Sequence, residues 1–320
     1  MSEPKIYDFM GARRIAAAIS IVLLVISIGS LAVQGLNFGL DFTGGAQIEV
    51  GYEDPADVSD IRQTLTEAGY RDVVVQYFGN NTDVLIRMQE DNNPRLGDEV
   101  LALLSEERSD VTLRRNEFVG PQVGEELREK GGIGMLVALG LVMVYIAVRF
   151  QFKFAVGAVA ALAHDVVIVI GFFSVTQMAF DLTVLAAVLA VIGYSLNDTI
   201  VVSDRIRESF RTIRRDDPVY LVNVSLTQTL ARTLITSLTT LLVLIALGVF
   251  GGELIRGFSV ALTVGVLIGT YSSIYVAANV LLAMKLSKED LMPPEKKDDV
   301  DTEEIPAWLT DPEEEENEKK

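Results

Sequence analysis

Two carboxylates and the only histidine of the chain stand inside apolar runs. In VIGYSLNDTIVVSDRIRE (191–208), Tyr194 and Ser195 precede Asp198 by about one helical turn, so the three share a helix face. Asn197 points about 100° away from Asp198. His164 and Asp165 lie in AHDV (163–166), and Arg232 sits in a row of threonines at helical spacing, Thr229, Thr233, Thr236 and Thr240. A charge at membrane depth costs about 2.5–3.5 kcal/mol even on the lenient insertion scale. Such groups persist where they have a partner or a pathway. In a low-dielectric helix bundle a carboxylate favours its protonated form, and a nearby guanidinium favours the ionised one. A carboxylate that alternates between those settings takes up and releases a proton. One charge crossing the membrane gains about 2.3 kcal/mol per 100 mV, enough to bias a two-state equilibrium more than tenfold.

Asp198 lies about 9 Å from the nearer end of its apolar run, and Arg232 enters from the same side, so the two are expected to pair. His164 and Asp165 lie about 16 Å along their own helix, near mid-membrane. Asp198, Arg232, Asp165 and His164 are therefore the candidate proton or ion coupling residues, with Asn197, Ser195, Tyr194 and Thr236 as polar support. Simpler roles compete. Arg232 could snorkel at a boundary, His164 could be a satisfied interior histidine, and the threonine row could serve hydrogen bonding between helices. Gly265 and Gly269, four apart with Ser272 and Ser273 one turn on, permit close helix packing. An aspartyl protease dyad of Asp165 and Asp198 would need a GxGD element, and the chain has GYSLND instead.

The elements that must position these groups follow from composition. Half of the 320 residues are hydrophobic and the mean hydropathy is +0.35, too apolar for a soluble domain of this length. The formal charge of −17 argues against a nucleic-acid surface. With no cysteine there is no disulfide, thiolate metal site or cysteine nucleophile. Six stretches reach the roughly 17–25 apolar residues a helix needs to cross a bilayer: 15–34, 132–149, 154–176, 182–203, 233–250 and 257–283. Ser30 and Ala32 fit a small-x-small cleavage site, but the apolar run is longer than a signal core, so the first span is taken as an uncleaved anchor. Lys5, Arg13, Arg14, Arg149, Lys153, the arginines from Arg205 to Arg215, Arg232 and Lys285 fall on one side of these spans. The positive-inside rule then puts residues 1–14 and the tail 285–320 in the cytoplasm and residues 36–126 outside. The acidic tail, with Glu313 to Glu316 in a row, is expected to be disordered.

Residues 36–126 alternate between strand and helix patterns. A strand over 45–52 is followed by a helix started by Asp54 and Pro55, a strand over 72–78, a turn at Gly79-Asn80-Asn81 and a strand over 82–88. A helix near 95–107 and a strand near 110–118 complete βαββαβ, the order of a ferredoxin-like α+β domain. Asp41, Gly44 and Gly45 form the junction into it, the adjacent glycines suited to a turn. Gly120 and Pro121 form the junction out of it.

Three motifs stand together: NFGLDFTGG (37–45), FVGPQVGEEL (118–127) and the Asp198 stretch. Over residues 10–285 this set resembles the SecD/SecF family of protein-export subunits, on its SecF side. The resemblance implies an RND-superfamily half-transporter of six transmembrane helices with one extracytoplasmic domain. It implies a multi-pass protein of the cytoplasmic (inner) membrane that partners SecD beside the Sec translocon channel. There it would use the proton motive force to help unfolded secretory polypeptides across the bilayer. It also implies that the aspartate of SLNDT, here Asp198, and an arginine on the next span, here Arg232, belong to the proton path. No catalytic residue, nucleic-acid partner or cofactor is expected, and the coupling ion is a proton or sodium. The alternatives are a half-transporter of another cargo and an assembly factor without ion coupling.

Overall fold

The computed structural model describes residues 6–71, 73–88, 93, 95–287 and 290. Most of the acidic tail lies outside them. A short 3-10 turn, Met10–Ala12, leads into helix α1, Arg13–Val33. A one-turn helix α2, Leu40–Thr43, precedes an α+β domain of β1 Gly45–Gly51, α3 Val58–Glu67, β2 Val74–Phe78, β3 Asn80–Met88, α4 Leu96–Glu107 and β4 Thr112–Val119. Five long helices follow: α5 Pro121–Arg149, α6 Phe152–Thr176, α7 Leu182–Thr212, α8 Pro218–Phe250 and α9 Glu253–Ala283. Among the described residues, α1 and α5–α9 are the helices long and apolar enough to cross a membrane. They form an RND-type helical half.

The sheet has the order β2-β3-β1-β4 with antiparallel neighbours, which is the ferredoxin-like arrangement. Ala46, Ile48 and Val50 of β1 and Val84 and Ile86 of β3 alternate inward with the period of a strand. They pack on Ile61 and Leu65 of α3 and on Leu96, Val100 and Leu104 of α4. The other face carries Gln47, Leu85, Arg87, Arg115 and Glu117. It overlooks a cleft of about 870 Å³ whose far wall includes Asp41 and Asp181.

Local details differ from the sequence reading. Asp57, not Asp54 or Pro55, caps α3 by accepting from Ser59 N–H at 2.8 Å. Residues before it are held in a loop, because Ala56 N–H donates to Asn81 O and Arg108 donates to Pro55 O. The hairpin turn is centred on Gly79 (φ +81°), and β3 starts at Asn80, whose Oδ1 accepts from Thr82 and Asp83 N–H.

Three helices run well past their apolar stretches, and the first, α5, starts at Pro121, well ahead of 132. α7 continues from the 182–203 stretch to Thr212, and α8 begins at Pro218, far ahead of 233. The early turns of α8 are held by tertiary contacts. Leu221, Val222 and Leu226 are buried, and Asn223 accepts from Met10 N–H and donates to Asp8.

Candidate functional site

The polar residues of the bundle separate into two centres along α7. The seam between α7 and α9 is made by small residues. A Cβ on Gly265 would collide with Val191, and one on Gly269 would lie 3.2 Å from Ser195 Cβ. The Gly265/Gly269 pair is thus a packing device, and it brings Ser272 of α9 against α6 and α7.

Asp165 is fully buried there. Its Oδ2 accepts from Ser195 Oγ of α7 at 2.5 Å and from Ser272 Oγ of α9 at 2.7 Å. Its Oδ1 lies 2.9 Å from His164 Nδ1. The Nε2 of His164 is buried without a partner. Its ring lies 6.1 Å from that of Tyr271, whose hydroxyl donates to Ala16 O of α1. Ser195 therefore serves Asp165, not Asp198, although the sequence puts it on the Asp198 face.

Asp198 is the second centre, one turn on along α7 and 4% exposed. Its Oδ2 has no hydrogen-bond partner. Arg232 does not form the expected ion pair with it within 4.0 Å. Arg232 is exposed and lines a cleft of about 460 Å³ with Arg149, Asp204, Arg205, Glu208 and Gln228 at the end of the bundle away from the α+β domain. Tyr194 OH donates to Ser237 Oγ at 3.3 Å, and Ser237 pairs with Thr270 Oγ1 at 2.6 Å. That link, with the Ser225–Ser209 bond at 2.8 Å, sets the antiparallel register of α7 and α8. The register places Asp198 level with Thr233, whose Oγ1 is also buried and unpartnered.

The threonine row does not bond across helices. Thr229, Thr236 and Thr240 donate to carbonyls one turn back on α8. The cross-helix work falls to Ser237 and Thr270, which hydropathy gives no reason to single out. Asn197 is exposed and Gly193 has nothing within 4 Å of a Cβ, so this face of α7 stands open at membrane depth. Among the described residues, no three His, Cys, Asp or Glu side chains converge as metal ligands would.

The other end of α7 is tied to the α+β domain. Asp181 caps the helix by accepting from Val184 N–H at 2.8 Å, and Asp41 accepts from Leu182 N–H at 2.9 Å. Gly39 N–H donates to Phe180 O and Phe180 N–H to Asn37 O, both at 2.8 Å, closing a two-stranded bridge. The rings of Phe38, Phe42 and Phe180 pack together beside it. Gly44 (φ +70°, ψ 172°) and Gly45 (φ +120°) make the turn into β1. Gly120 caps α5, which opens at Pro121, and Gly124 one turn on packs on the Gly44 backbone so closely that a Cβ would lie 2.8 Å from Gly44 N. From β3, Arg87 faces this junction. Burial holds its guanidinium below its ordinary range, opposed by the nearby charges of Asp181 and Asp41. Neither Asp181 nor Arg87 stands out in the sequence.

Comparison with known proteins follows the same division. Residues 99–287 match the family model "Protein export membrane protein SecD/SecF, C-terminal", and residues 29–56 match "SecD/SecF GG Motif". The chain is similar to "Protein translocase subunit SecF" of Pseudomonas aeruginosa, with 55% identity over 92% of this chain and 96% of the relative. The subunit of the same name in Escherichia coli O157:H7 is 46% identical over 90% of this chain and 91% of the relative. Among solved structures, the crystal structure of SecDF from Thermus thermophilus, titled a translocon-associated membrane protein, is similar with a TM-score of 0.81 and 39% identity. The match covers 88% of this chain and 39% of that one, so this chain spans about two-fifths of the solved chain's length. A SecDF structure in the super-membrane-facing form gives 0.67 at 38% identity over the same shares of both chains.

Proposed function

The chain belongs to the SecD/SecF family of protein-export membrane proteins, as a SecF-type translocase subunit, and on that premise we propose that it couples a proton flux to the export of unfolded polypeptides in partnership with SecD. The observation that carries this reading is a single helix. α7 holds a buried, unsatisfied carboxylate at Asp198, and its first residue is bound by Asp41 of the linker to the α+β domain.

The residues divide the work as follows. When protonated, Asp198 is neutral and is tolerated beside Thr233 with an unpaired oxygen. When the proton leaves, the carboxylate needs a counter-charge, and Arg232 on α8 is the guanidinium within reach of a modest helix shift. Protonation thus favours one α7–α8 arrangement and release favours another. A transmembrane gradient delivers the proton from one side and removes it to the other. Displacement of α7 is passed to Asp41, the Phe38–Phe180 bridge and the Gly44–Gly45 turn, and so to β1. The two SecDF structures match this chain at nearly equal identity but with TM-scores of 0.81 and 0.67. That difference supports a fold of this kind having more than one arrangement.

Partnership is supported by the open face of α7. Asn197 exposed at membrane depth needs a hydrogen-bonding neighbour, and Gly193 lets another helix approach closely. Orientation rests on the basic residues at the end away from the α+β domain, including Arg149, Arg205, Arg207 and Arg211. They support a reading with both termini in the cytoplasm and the domain outside. No catalytic group is assigned. The coupling ion is taken as the proton, the charge that a single buried carboxylate can take up and release, with sodium as the alternative.

The test is export into inverted vesicles or proteoliposomes holding this subunit, SecD and the Sec channel. Asp198→Asn should insert and assemble, and export driven by ATP alone should continue. Stimulation by the gradient should disappear. Gradient-stimulated export by the Asn variant would sink the mechanism, and stimulation by a sodium gradient alone would replace the ion.

A further inference from the structure

We propose that Asp165 is a positioning residue for the coupling carboxylate: through Ser195 it fixes the height and rotation of α7, and it does not itself carry the proton. The inference rests on the reading of Asp198 given above.

Three helices meet on Asp165. His164 neighbours it on α6, Ser195 reaches it from α7 and Ser272 from α9. An ionised carboxylate is an acceptor only, and these groups supply donors to both of its oxygens. The hydroxyls of Ser195 and Ser272 share Oδ2, and the ring of His164 meets Oδ1 and provides the nearest cationic group when protonated. Tyr271 of α9 stacks beyond His164 and is itself held by Ala16 O and Ser20 of α1. Asp198 follows one turn on along α7, and Arg232 of α8 is the charged side chain that acts on it electrostatically. A carboxylate satisfied from three helices is suited to hold them together. A proton taken up here would turn an accepting oxygen into a donor and disturb that set of bonds in every cycle.

Ser195 is also fixed from behind. Gly269 brings the backbone of α9 against it, and Gly265 does the same one turn away at Val191. α7 is therefore clamped at Ser195 by hydrogen bonds on one side and by glycine packing on the other. Asp198 lies three residues on, a rise of about 4.5 Å. It is the first ionisable group beyond the clamp, and its Oδ2 is free. Helix α7 thus has a fixed point about which it can pivot, with Asp198 one turn beyond it on the side packed against α8 and the Leu182 end before it. The fixed point determines where Asp198 stands relative to α8.

The experiment measures gradient-stimulated export across a pH series in proteoliposomes of the full complex, normalised to inserted protein. Ser195→Ala and Ser272→Ala remove no titratable group, yet each should move the midpoint of the pH profile by about half a unit or more by altering the setting of Asp198. Ser195→Cys, which keeps a weak donor of similar size, should lie between Ser195→Ala and the parent. Asp165→Asn should keep a reduced, gradient-dependent stimulation with a displaced midpoint, while Asp198→Asn loses stimulation altogether. Loss of all stimulation in Asp165→Asn, as complete as in Asp198→Asn, would put Asp165 in the proton path and overturn the proposal. Unchanged midpoints in both serine variants would overturn it too, leaving Asp165 a stabilising contact. If Asp165→Asn fails to insert, the serine variants alone decide. Stimulation retained by Asp198→Asn is the separate result that removes the underlying reading.

Discussion

The Oδ2 of Asp41 accepts a hydrogen bond from the backbone N–H of Leu182 at 2.9 Å, across 141 residues of sequence. Leu182 opens α7, and its N–H is one of the four that a helix leaves unpaired at its start. Asp181 satisfies another, so two carboxylates occupy the positive end of the helix dipole. The linker of the α+β domain is in this way part of the cap of the helix that bears Asp198.

Asp41→Ala should destabilise this end of α7 by about 0.5–2 kcal/mol, the usual value of a capping contact. Asp41→Asn keeps an acceptor but loses the charge, so it should fall between Ala and the parent. Thermal unfolding in detergent and gradient-stimulated export should rank the three alike. Parental export from Asp41→Ala would show that this contact transmits nothing.

Gly44 adopts φ +70° and ψ 172°, a region that residues with a Cβ avoid at a cost of about 1–3 kcal/mol. Gly44→Val should still insert, but the linker should become more sensitive to limited proteolysis and export should fall. Gly124→Ala should act in the same direction, because its Cβ would press on Gly44 N. Unchanged proteolysis in both variants would show that the junction can relax.

Two glycines of the bundle should respond oppositely to the same change. Gly265→Leu overpacks the α7–α9 seam at Val191 and should cost about 1–3 kcal/mol or more in thermal unfolding of the subunit. Gly193→Leu faces open space, so the subunit's own unfolding should be nearly unchanged while copurification of SecD falls. Full copurification with Gly193→Leu would place the partner on another face.

Arg108 and Asp110 give the α+β domain a pH dependence. Arg108 donates to Asp110 Oδ2 at 2.5 Å and to Pro55 O at 3.1 Å, and it lies over the Tyr52 ring. The hydrogen bond to Arg108 holds the Asp110 carboxyl down at about 2. A lowered carboxylate contributes stability that is present above its ordinary value of 3.8 and is lost as pH falls towards 2. Hydrogen exchange of residues 52–57 should therefore be faster in Asp110→Asn than in the parent near neutral pH. The difference should shrink between about pH 4 and pH 2. A difference that persists at pH 2 would assign the effect to something other than the ion pair.

Topology can be read with a single cysteine, since the chain has none. Glu106→Cys, on the exposed side of α4, should react with an impermeant maleimide in spheroplasts. Asn80 is a poorer position because its side chain holds the hairpin. Reaction only after lysis would invert the orientation.

What the sequence by itself determined is what depends on neighbouring residues. Runs of apolar side chains marked the six membrane helices, alternation of period two marked the strands, and βαββαβ order specified the sheet, because one compact antiparallel arrangement suits that order. Asp165, Asp198 and Arg232 were conspicuous for being ionisable where the surroundings are not. The tertiary structure alone decided which of them meet. Ser195 and Asp198 share a helix face, yet Ser195 bonds to Asp165 of α6, because Gly265 and Gly269 set how closely α9 lies and so where α6 and α7 face each other. The threonines of α8 turned to their own helix, since a backbone carbonyl one turn back is always in reach of the hydroxyl and a neighbouring helix is not. The early start of α8 depended on Asn223 finding Asp8 and Met10, more than 200 residues away in the chain. Pairings of this kind are set by the rotation and register of packed helices, which arise from the sum of all side chains in the seam and leave no period in the sequence.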